Sequence, residues 1–390
     1  MPADPHPARS GPTGAGAATL AGTAALLAAG LAAGYPVLAG IGLAGVAVLV
    51  VATLAALVPA RLDAERVVTP DRIAVGEPTL ARLSVRNAGR FAAPGFDAVE
   101  RIDGRPLRVP VPALHPGEQR VLHYPVPGIR RGLVRLGPVV VDRRDPLGLV
   151  RRVAPLAGGT RLWVHPRTRA ARPLPVGAVP DFEGRLPQQV TRGSTAFSSL
   201  REYQPGDDPR QIHWRSTART GTLVVREHVD TDEPMIALVL DTRADALPAE
   251  LFEAAVEVAA SVAVASERVG QRVTLLAPGE RRDEVADAGG HTVLDRLAAV
   301  TTRRGTLTDL VRTVEGAPGG GALLVVAGPD AELPARLAPY RRRYGRAVLV
   351  ALDGATAGPL TAHRAGLTVV RAATAETALA GWDRVAGRTR

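Results

Sequence analysis

Two runs without a charged residue, 15–33 and 36–58, lie almost back to back near the start of this 390-residue chain, and they constrain its fold more than any other feature. Water does not favour so much contiguous apolar surface, whereas about 20 apolar residues in a helix span the hydrocarbon core of a bilayer. The second run, PVLAGIGLAGVAVLVVATLAALV, meets that length in full, and the first is Ala-rich and weaker. Together they read as a transmembrane helical hairpin that turns at Gly34-Tyr35. A second reading of the first run stays open: a signal-peptide core, with Arg9 as its positive region and Leu31-Ala32-Ala33 near a cleavage site. Under either reading the second run ends at Arg61 and Arg66, and the short connection before it carries no charge. The positive-inside bias then places residues 61 onward in the cytoplasm, with the chain in the cell membrane. Gly40, Gly42 and Gly45 would allow close helix packing, but a general abundance of Ala and Gly explains them equally, and no dimerisation motif follows.

The formal charge is +10, from 48 basic and 38 acidic residues. Such a surplus ordinarily points to nucleic acid or an anionic membrane. Here every basic residue is arginine, alongside heavy use of Ala, Gly, Pro and Val, which reads equally as a coding bias. Aromatic residues make up 3% of the chain and leave few stacking platforms, so no nucleic acid is expected as partner. The absence of cysteine excludes disulfide scaffolds, Cys-ligated zinc and thiol nucleophiles.

Beyond the apolar runs the chain divides by pattern. Residues 1–14 are a cytoplasmic tail and 15–58 the two transmembrane helices. Residues 61–155 alternate in the manner of half-buried strands: Leu83 and Val85 stand between Arg82, Ser84 and Arg86, and the period recurs at Leu107, Val109 and Val111. Turn signals at Asn87-Ala88-Gly89, Asp103-Gly104, His115-Pro116-Gly117 and Pro127-Gly128 punctuate them, which predicts an antiparallel β-sandwich of immunoglobulin-like size. Its late part, through Arg143-Arg144-Asp145-Pro146-Leu147-Gly148-Leu149 to Arg151-Arg152, is rich in arginine. Those arginines would either lie against anionic headgroups, at about 1 kcal/mol each, or form a solvated edge. Residues 156–233 read as a Pro-rich linker and a signature segment, with Leu162-Trp163-Val164 a short buried strand. In 234–390, apolar strands at 236–240, 272–276, 322–327, 347–352 and 367–371 alternate with helical stretches at 248–270, 292–300, 306–314, 333–344 and 376–385. That alternation predicts an α/β doubly wound domain, whose ligands would bind beyond the carboxyl ends of the strands, after Leu240 and Ala327.

Chemistry-bearing residues concentrate between 200 and 227. Pro205-Gly206-Asp207-Asp208-Pro209 supplies a turn, and arginines, a histidine and a tryptophan follow. Asp207, Asp208 and His213 would supply two carboxylates and an imidazole for a metal-assisted hydrolase. As architecture, the two acids would accept backbone N–H bonds and pair with Arg201, Arg210 or Arg215, while Trp214 packs the loop against a sheet. As a docking surface, exposed arginine and tryptophan suit protein recognition. No Walker motif, nucleophile elbow or HExxH is present, so no catalytic residue and no cofactor is expected.

The block Leu200-Arg201-Glu202-Tyr203, Pro205-Gly206-Asp207-Asp208-Pro209-Arg210, Ile212-His213-Trp214, Arg215, Ala218-Arg219 and Gly221 closely resembles the signature of the domain of unknown function 58 family. Arg131-Gly132 and the run from Asp145 to Leu149 also look like that family's β region. The strand end Val239-Leu240-Asp241-Thr242-Arg243-Ala244-Asp245 resembles the start of a von Willebrand factor type A domain, in which Asp-x-Ser-x-Ser and a later threonine hold a divalent metal. Arg243 and Asp245 replace both serines, Thr306 matches the threonine, and Asp330 falls two residues late for the family's second acid. The resemblance therefore implies a degenerate metal position without a metal ion. It further implies that members act with MoxR-type AAA+ ATPases as chaperone-like or adaptor components, beside transglutaminase-like membrane proteins. A membrane-anchored, non-enzymatic adaptor is the expectation that follows.

Overall fold

The computed structural model describes residues 9–57, 61–102, 104–174, 196–203, 212–229, 235–280, 285, 289–356 and 358–387. They fall into two compact units, Met1–His165 and Pro166–Arg390. In the first unit, α1 (Gly14–Ala32) and α2 (Pro36–Leu57) occupy the two uncharged runs. Ala and Leu favour helix, Thr13 caps α1 by accepting the Gly16 N–H at 3.1 Å, and Pro36 starts α2 with a φ suited to it. Gly34, at φ +68°, turns the chain between them. The 22 residues of α2 extend about 33 Å, and by length and composition both helices are sufficient to cross a membrane. Leu20, Ile41, Leu43, Val51 and Leu54 are exposed along their outer surfaces. The glycines have a use inside the hairpin: a Cβ on Gly42 would stand 2.7 Å from the Leu27 nitrogen, so its lack of a side chain lets the two helices touch.

The rest of this unit is built from β1 (Arg9–Pro12), β2 (Leu62–Thr69), β3 (Arg72–Ala74), β4 (Pro78–Asn87), β5 (Phe96–Ile102), β6 (Arg105–Val111), β7 (Gln119–Pro127), β8 (Gly132–Leu136), β9 (Val139–Arg144), β10 (Val150–Ala157) and β11 (Thr160–His165). A three-stranded sheet runs β2-β4-β7, and a larger one runs β1-β10-β9-β5-β8-β11-β3, with β6 on β5. Both sheets feed one apolar cluster, with Ala81, Leu83 and Val85 of β4 among Ala98, Leu136 and Leu162 of the larger sheet. Asn87 holds its turn: its amide donates to the carbonyls of Phe91 and Leu114, and its Oδ1 accepts the Gly89 N–H. Residues 9–12, placed in a tail from sequence, pair as β1 with β10, and β11 continues the sheet past residue 155.

Arg66 departs from its expected place beside the membrane. It is buried between the sheets, ion-paired with Glu100, which also accepts the Tyr124 hydroxyl. Period-two patterning explains why: Arg66 precedes the inward Val68 by two residues and shares its face.

The second unit begins as a strap. The Arg169 N–H donates to Ser261 Oγ, the Arg172 N–H to Asp383, and Trp382 Nε1 to the Arg172 carbonyl at 2.8 Å, while Leu174 is fully buried. Residues 166–174, which composition marks as linker, are therefore fastened to the α/β body. A two-stranded ribbon of β12 (Ala196–Glu202) and β13 (Val224–Val229) flanks α3 (Trp214–Thr220) in sequence.

The main sheet comprises β14 (Met235–Leu240), β15 (Arg272–Leu276), β16 (Ala322–Ala327), β17 (Arg346–Leu352), β18 (Leu360–Arg364) and β19 (Leu367–Ala372), in the order β15-β14-β16-β17-β19-β18. All pairings are parallel except the β18–β19 hairpin. Both faces are covered, which is why β14 and β16 are apolar at every position. Ile236, Leu238 and Leu240 enter one cluster with α4 (Ala249–Arg268), α5 (Val293–Ala299) and α8 (Ala375–Ala386). Ala237 and Val239 enter the other, with α6 (Leu307–Glu315) and α7 (Leu333–Leu337). The helix expected over 333–344 is α7 followed by a 3₁₀ segment, Ala338–Arg343, with Pro339 near its start.

Candidate functional site

Parallel strands deliver their carboxyl ends to one edge, and the residues singled out after Leu240 lie there. Asp241 is fully buried, and its N–H donates to the Val326 carbonyl of the neighbouring strand. Its carboxylate is occupied by Arg243: Nε donates to Oδ1 at 3.0 Å, Nη2 to Oδ2 at 2.8 Å, and the Arg243 backbone N–H to Oδ1 at 3.0 Å. Asp330, from the loop after β16, comes within 3.7 Å of Nη1. Burial disfavours the guanidinium charge, but the bond to Asp241 and the fields of Asp241, Asp330 and exposed Asp245 outweigh it and raise its pKa.

The surrounding loops are tied to this pair. Thr242 Oγ1 donates to the Pro278 carbonyl, the Arg303 N–H to the Thr242 carbonyl, and the Ala244 N–H to the Arg303 carbonyl. A Cβ at Gly328 would run into the Ala246 carbonyl, so only glycine lets these two loops meet. Thr306 is used locally: it caps α6, accepting the Asp309 N–H while its hydroxyl donates to the Asp309 carboxylate at 2.8 Å. Both oxygens of Asp241 hold a guanidinium and Thr306 serves a helix cap, so these residues do not offer magnesium an open oxygen set. Among the described residues, no group of three or more His, Asp or Glu is placed to hold a metal ion.

The signature residues are held by a separate sheet. Arg201 and Glu202 pair in β12 with Val225 and Val224, and the Tyr203 N–H donates to the Leu223 carbonyl. Gly206, Asp207, Asp208 and Arg210 lie outside the described residues. His213 ties α3 to β13 through its N–H to the Val224 carbonyl, and caps the helix: Nδ1 lies 2.7 Å from Ser216 Oγ and accepts the Ser216 N–H. Thr217 Oγ1 accepts the Val224 N–H, and Gly221, at φ +74°, ends the helix.

Trp214 is 67% exposed, as the docking reading has it and not buried against a sheet as the architectural reading has it. His213 and Thr217, four residues apart, define the face of α3 turned to β13, and Trp214 lies off that face. Arg215 and Arg219 are exposed on the same helix, followed by half-exposed Leu223. Arg303 escaped the sequence reading: its backbone bonds Thr242 and Ala244 and its Nη1 donates to the Pro278 carbonyl, contacts between loops that no local pattern marks.

An α/β domain preceded by apolar helices and a β-rich unit is thus the class that fold and site define. Residues 199–315 match the family model described as protein of unknown function DUF58, which supports that family for this chain. The matched span contains both α3 and the Asp241–Arg243 pair. No curated protein matches the chain. Among solved structures, the chain is similar to the CARDB domain of a Pyrococcus furiosus protein at 21% identity, covering 25% of this chain and 93% of that one, with a TM-score of 0.20. It is similar to the sporulation control protein Spo0M of Bacillus subtilis at 15% identity, over 27% and 50% of the two chains, with a TM-score of 0.18. A third likeness is to the alkylpurine DNA glycosylase AlkC of Pseudomonas fluorescens, at 16% identity over 30% and 33%, with a TM-score of 0.22.

Proposed function

We propose that this chain is a membrane-anchored, non-enzymatic interaction protein that acts with a cytoplasmic MoxR-type AAA+ ATPase in chaperone-like or cell-envelope processes. The observation that carries the reading is Trp214, 67% exposed on a capped helix beside exposed Arg215 and Arg219. Tryptophan and arginine dominate binding hot spots, because each brings a large rigid surface with a directional polar group. An aromatic left in water on a helix that also exposes two guanidiniums suits a partner surface with an apolar pocket and an acidic rim.

The remaining architecture is read in keeping with this. The two apolar helices are taken to span the membrane, with the rest of the chain cytoplasmic. The two sheets of the first unit, sharing one apolar cluster, are read as an immunoglobulin-like sandwich. The second unit is read as von Willebrand factor type A-like, supported by its parallel sheet and by Asp241 at the end of β14. Arg243 occupies the Asp241 carboxylate at that edge, so the reading calls on no metal there. A transglutaminase-like membrane protein is a further partner by resemblance.

The test is capture of the detergent-solubilised full chain by the ATPase in its apo, ADP and ATP-bound states. Wild type is expected to associate in at least one state, and Trp214→Ala with Arg215→Glu to weaken it by roughly 2–4 kcal/mol, the hot-spot range. Absence of association in every nucleotide state sinks the adaptor reading. Saturable magnesium, manganese or zinc binding in calorimetry, abolished by Asp208→Asn, would favour the metal-assisted hydrolase instead.

A further inference from the structure

The ends of the helical hairpin carry more than the hairpin. Gly42 of α2 meets Leu27 of α1, and Gly45 meets Thr23, so the helices run antiparallel. The start of α1 and the end of α2 therefore lie at one level, and the β9–β10 turn is fastened there. The Thr13 N–H donates to the Leu149 carbonyl at 2.8 Å and its hydroxyl to the Gly148 carbonyl at 2.6 Å. Leu149 and Val150 cluster with Ala52 and Ala56 of α2. A helix leaves its last carbonyls without partners, and Arg143 takes one of them, donating from Nη2 to Ala55 at 2.7 Å.

Strand register then stacks positive charge at this level. Ser10, Arg152 and Arg143 form one rung across β1, β10 and β9, and Gly11, Arg151 and Arg144 form the next, with Arg9 leading β1. Like charges directly opposite in an antiparallel ladder repel. The carboxylates of the hairpin are already engaged. Asp142 accepts two bonds from Arg151, at 2.6 and 2.7 Å, and lies 3.4 Å from Arg108, while Asp145 accepts the N–H groups of Leu147 and Val150. Burial, and next the charge of Arg152, lower the pKa of Arg143. At the tip, Leu147 is 60% exposed.

We infer that the β9–β10 turn, with Arg9, Arg143, Arg144 and Leu147, is a docking surface for the anionic headgroups of the bilayer that holds α1 and α2. The inference rests on those helices spanning a membrane, for that alone sets the arginine rungs at headgroup depth. Headgroup phosphates meet the exposed guanidiniums of Arg9 and Arg144, and Leu147 enters the adjoining apolar layer. The contact fixes the first unit to the membrane surface at a second point beyond the helices.

Native mass spectrometry of the full chain, released from detergent with equal phosphatidylglycerol and phosphatidylcholine, reads this directly. Wild type is expected to retain the anionic lipid preferentially, and Arg9→Gln with Arg144→Gln to reduce that preference by about fivefold per arginine. Arg143 and Arg151 are left intact because one holds α2 and the other pairs with Asp142. Arg82→Gln with Arg86→Gln removes the same charge from exposed positions of β4 and should leave the preference unchanged. Equal retention of the two lipids, an equal effect from the β4 variant, or displacement of phosphatidylglycerol by millimolar inorganic phosphate overturns the inference. Alkaline carbonate extraction of cell membranes separates the two claims. A chain that stays in the pellet without lipid preference refutes the headgroup surface alone, whereas a chain released to the supernatant refutes the spanning helices and the surface together.

Discussion

Replacing Glu100 with alanine is expected to cost the first unit about 3–5 kcal/mol, because it strands a buried guanidinium. The side chains of Glu100 and Arg66 are each 1% exposed, and they sit on β5 and β2, one in each sheet. Arg66 keeps only carbonyl acceptors once the carboxylate is gone, Gly137 at 3.2 Å and Gly158 at 3.1 Å, which satisfy hydrogen bonds without neutralising charge. Urea unfolding of the detergent-solubilised chain measures the loss, and hydrogen exchange locates it: amides of β2 and β5 should lose protection while those of β14 keep theirs. The double variant Arg66→Met/Glu100→Leu should recover most of the stability, since it removes both charges and retains volume. Failure to recover would assign the loss to packing rather than to the stranded ion. Burial also raises the pKa of Tyr124. Its contribution is therefore complete below the unfolded value near pH 10 and falls as the pH rises through the folded one, an alkaline slope that Tyr124→Phe should remove.

Arg243→Ala is expected to destabilise the second unit by about 3 kcal/mol. Asp241 is fully buried, and the substitution leaves its charge with the backbone N–H of residue 243 but no cation. Because that N–H survives, the loss should fall at the lower end of what breaking a buried pair costs. Adding Asp241→Asn to the same chain removes the stranded charge and should restore part of the stability, a coupling that a pure packing defect would not show. Arg243→Lys should retain only part, since an ammonium is a point donor and cannot reproduce the two parallel bonds of the guanidinium. Urea midpoints of wild type, Arg243→Ala, Asp241→Asn, the double variant and Arg243→Lys, with hydrogen exchange across β14, decide the matter; independent, additive losses would show that the ion pair is not what holds this edge.

Much of the scaffold was legible because single residue types or short periods dictate it. Uncharged runs mark α1 and α2, the alternation of Leu83 and Val85 marks β4, and the unbroken apolar run of β14 marks a strand covered on both faces. β18 escaped, for it is exposed at every position and has no apolar period; its hairpin with β19 turns at Ala365-Gly366, both with positive φ. Residues 166–174 escaped for the opposite reason: Pro and Arg composition suggests a linker, but their backbone groups find acceptors and donors on helices about 90 to 210 residues away in sequence. At the sheet edge, Arg243 is visible in the sequence as a cation near Asp241, while the approach of Asp330 depends on how two loops meet at Gly328.

Local chemistry written into the sequence by itself determined where the chain is apolar enough to cross a membrane, which strands are buried on both faces, and which helices are capped. Those properties depend on neighbours within a few residues. Tertiary structure alone decided that Arg66 meets Glu100 of the other sheet, that Trp214 faces solvent, and that the arginines of β9 and β10 stand level with the ends of α1 and α2. Each of these is a matter of which distant segment comes alongside, and strand register and long-range packing set that through free energies summed over many residues rather than through any one motif.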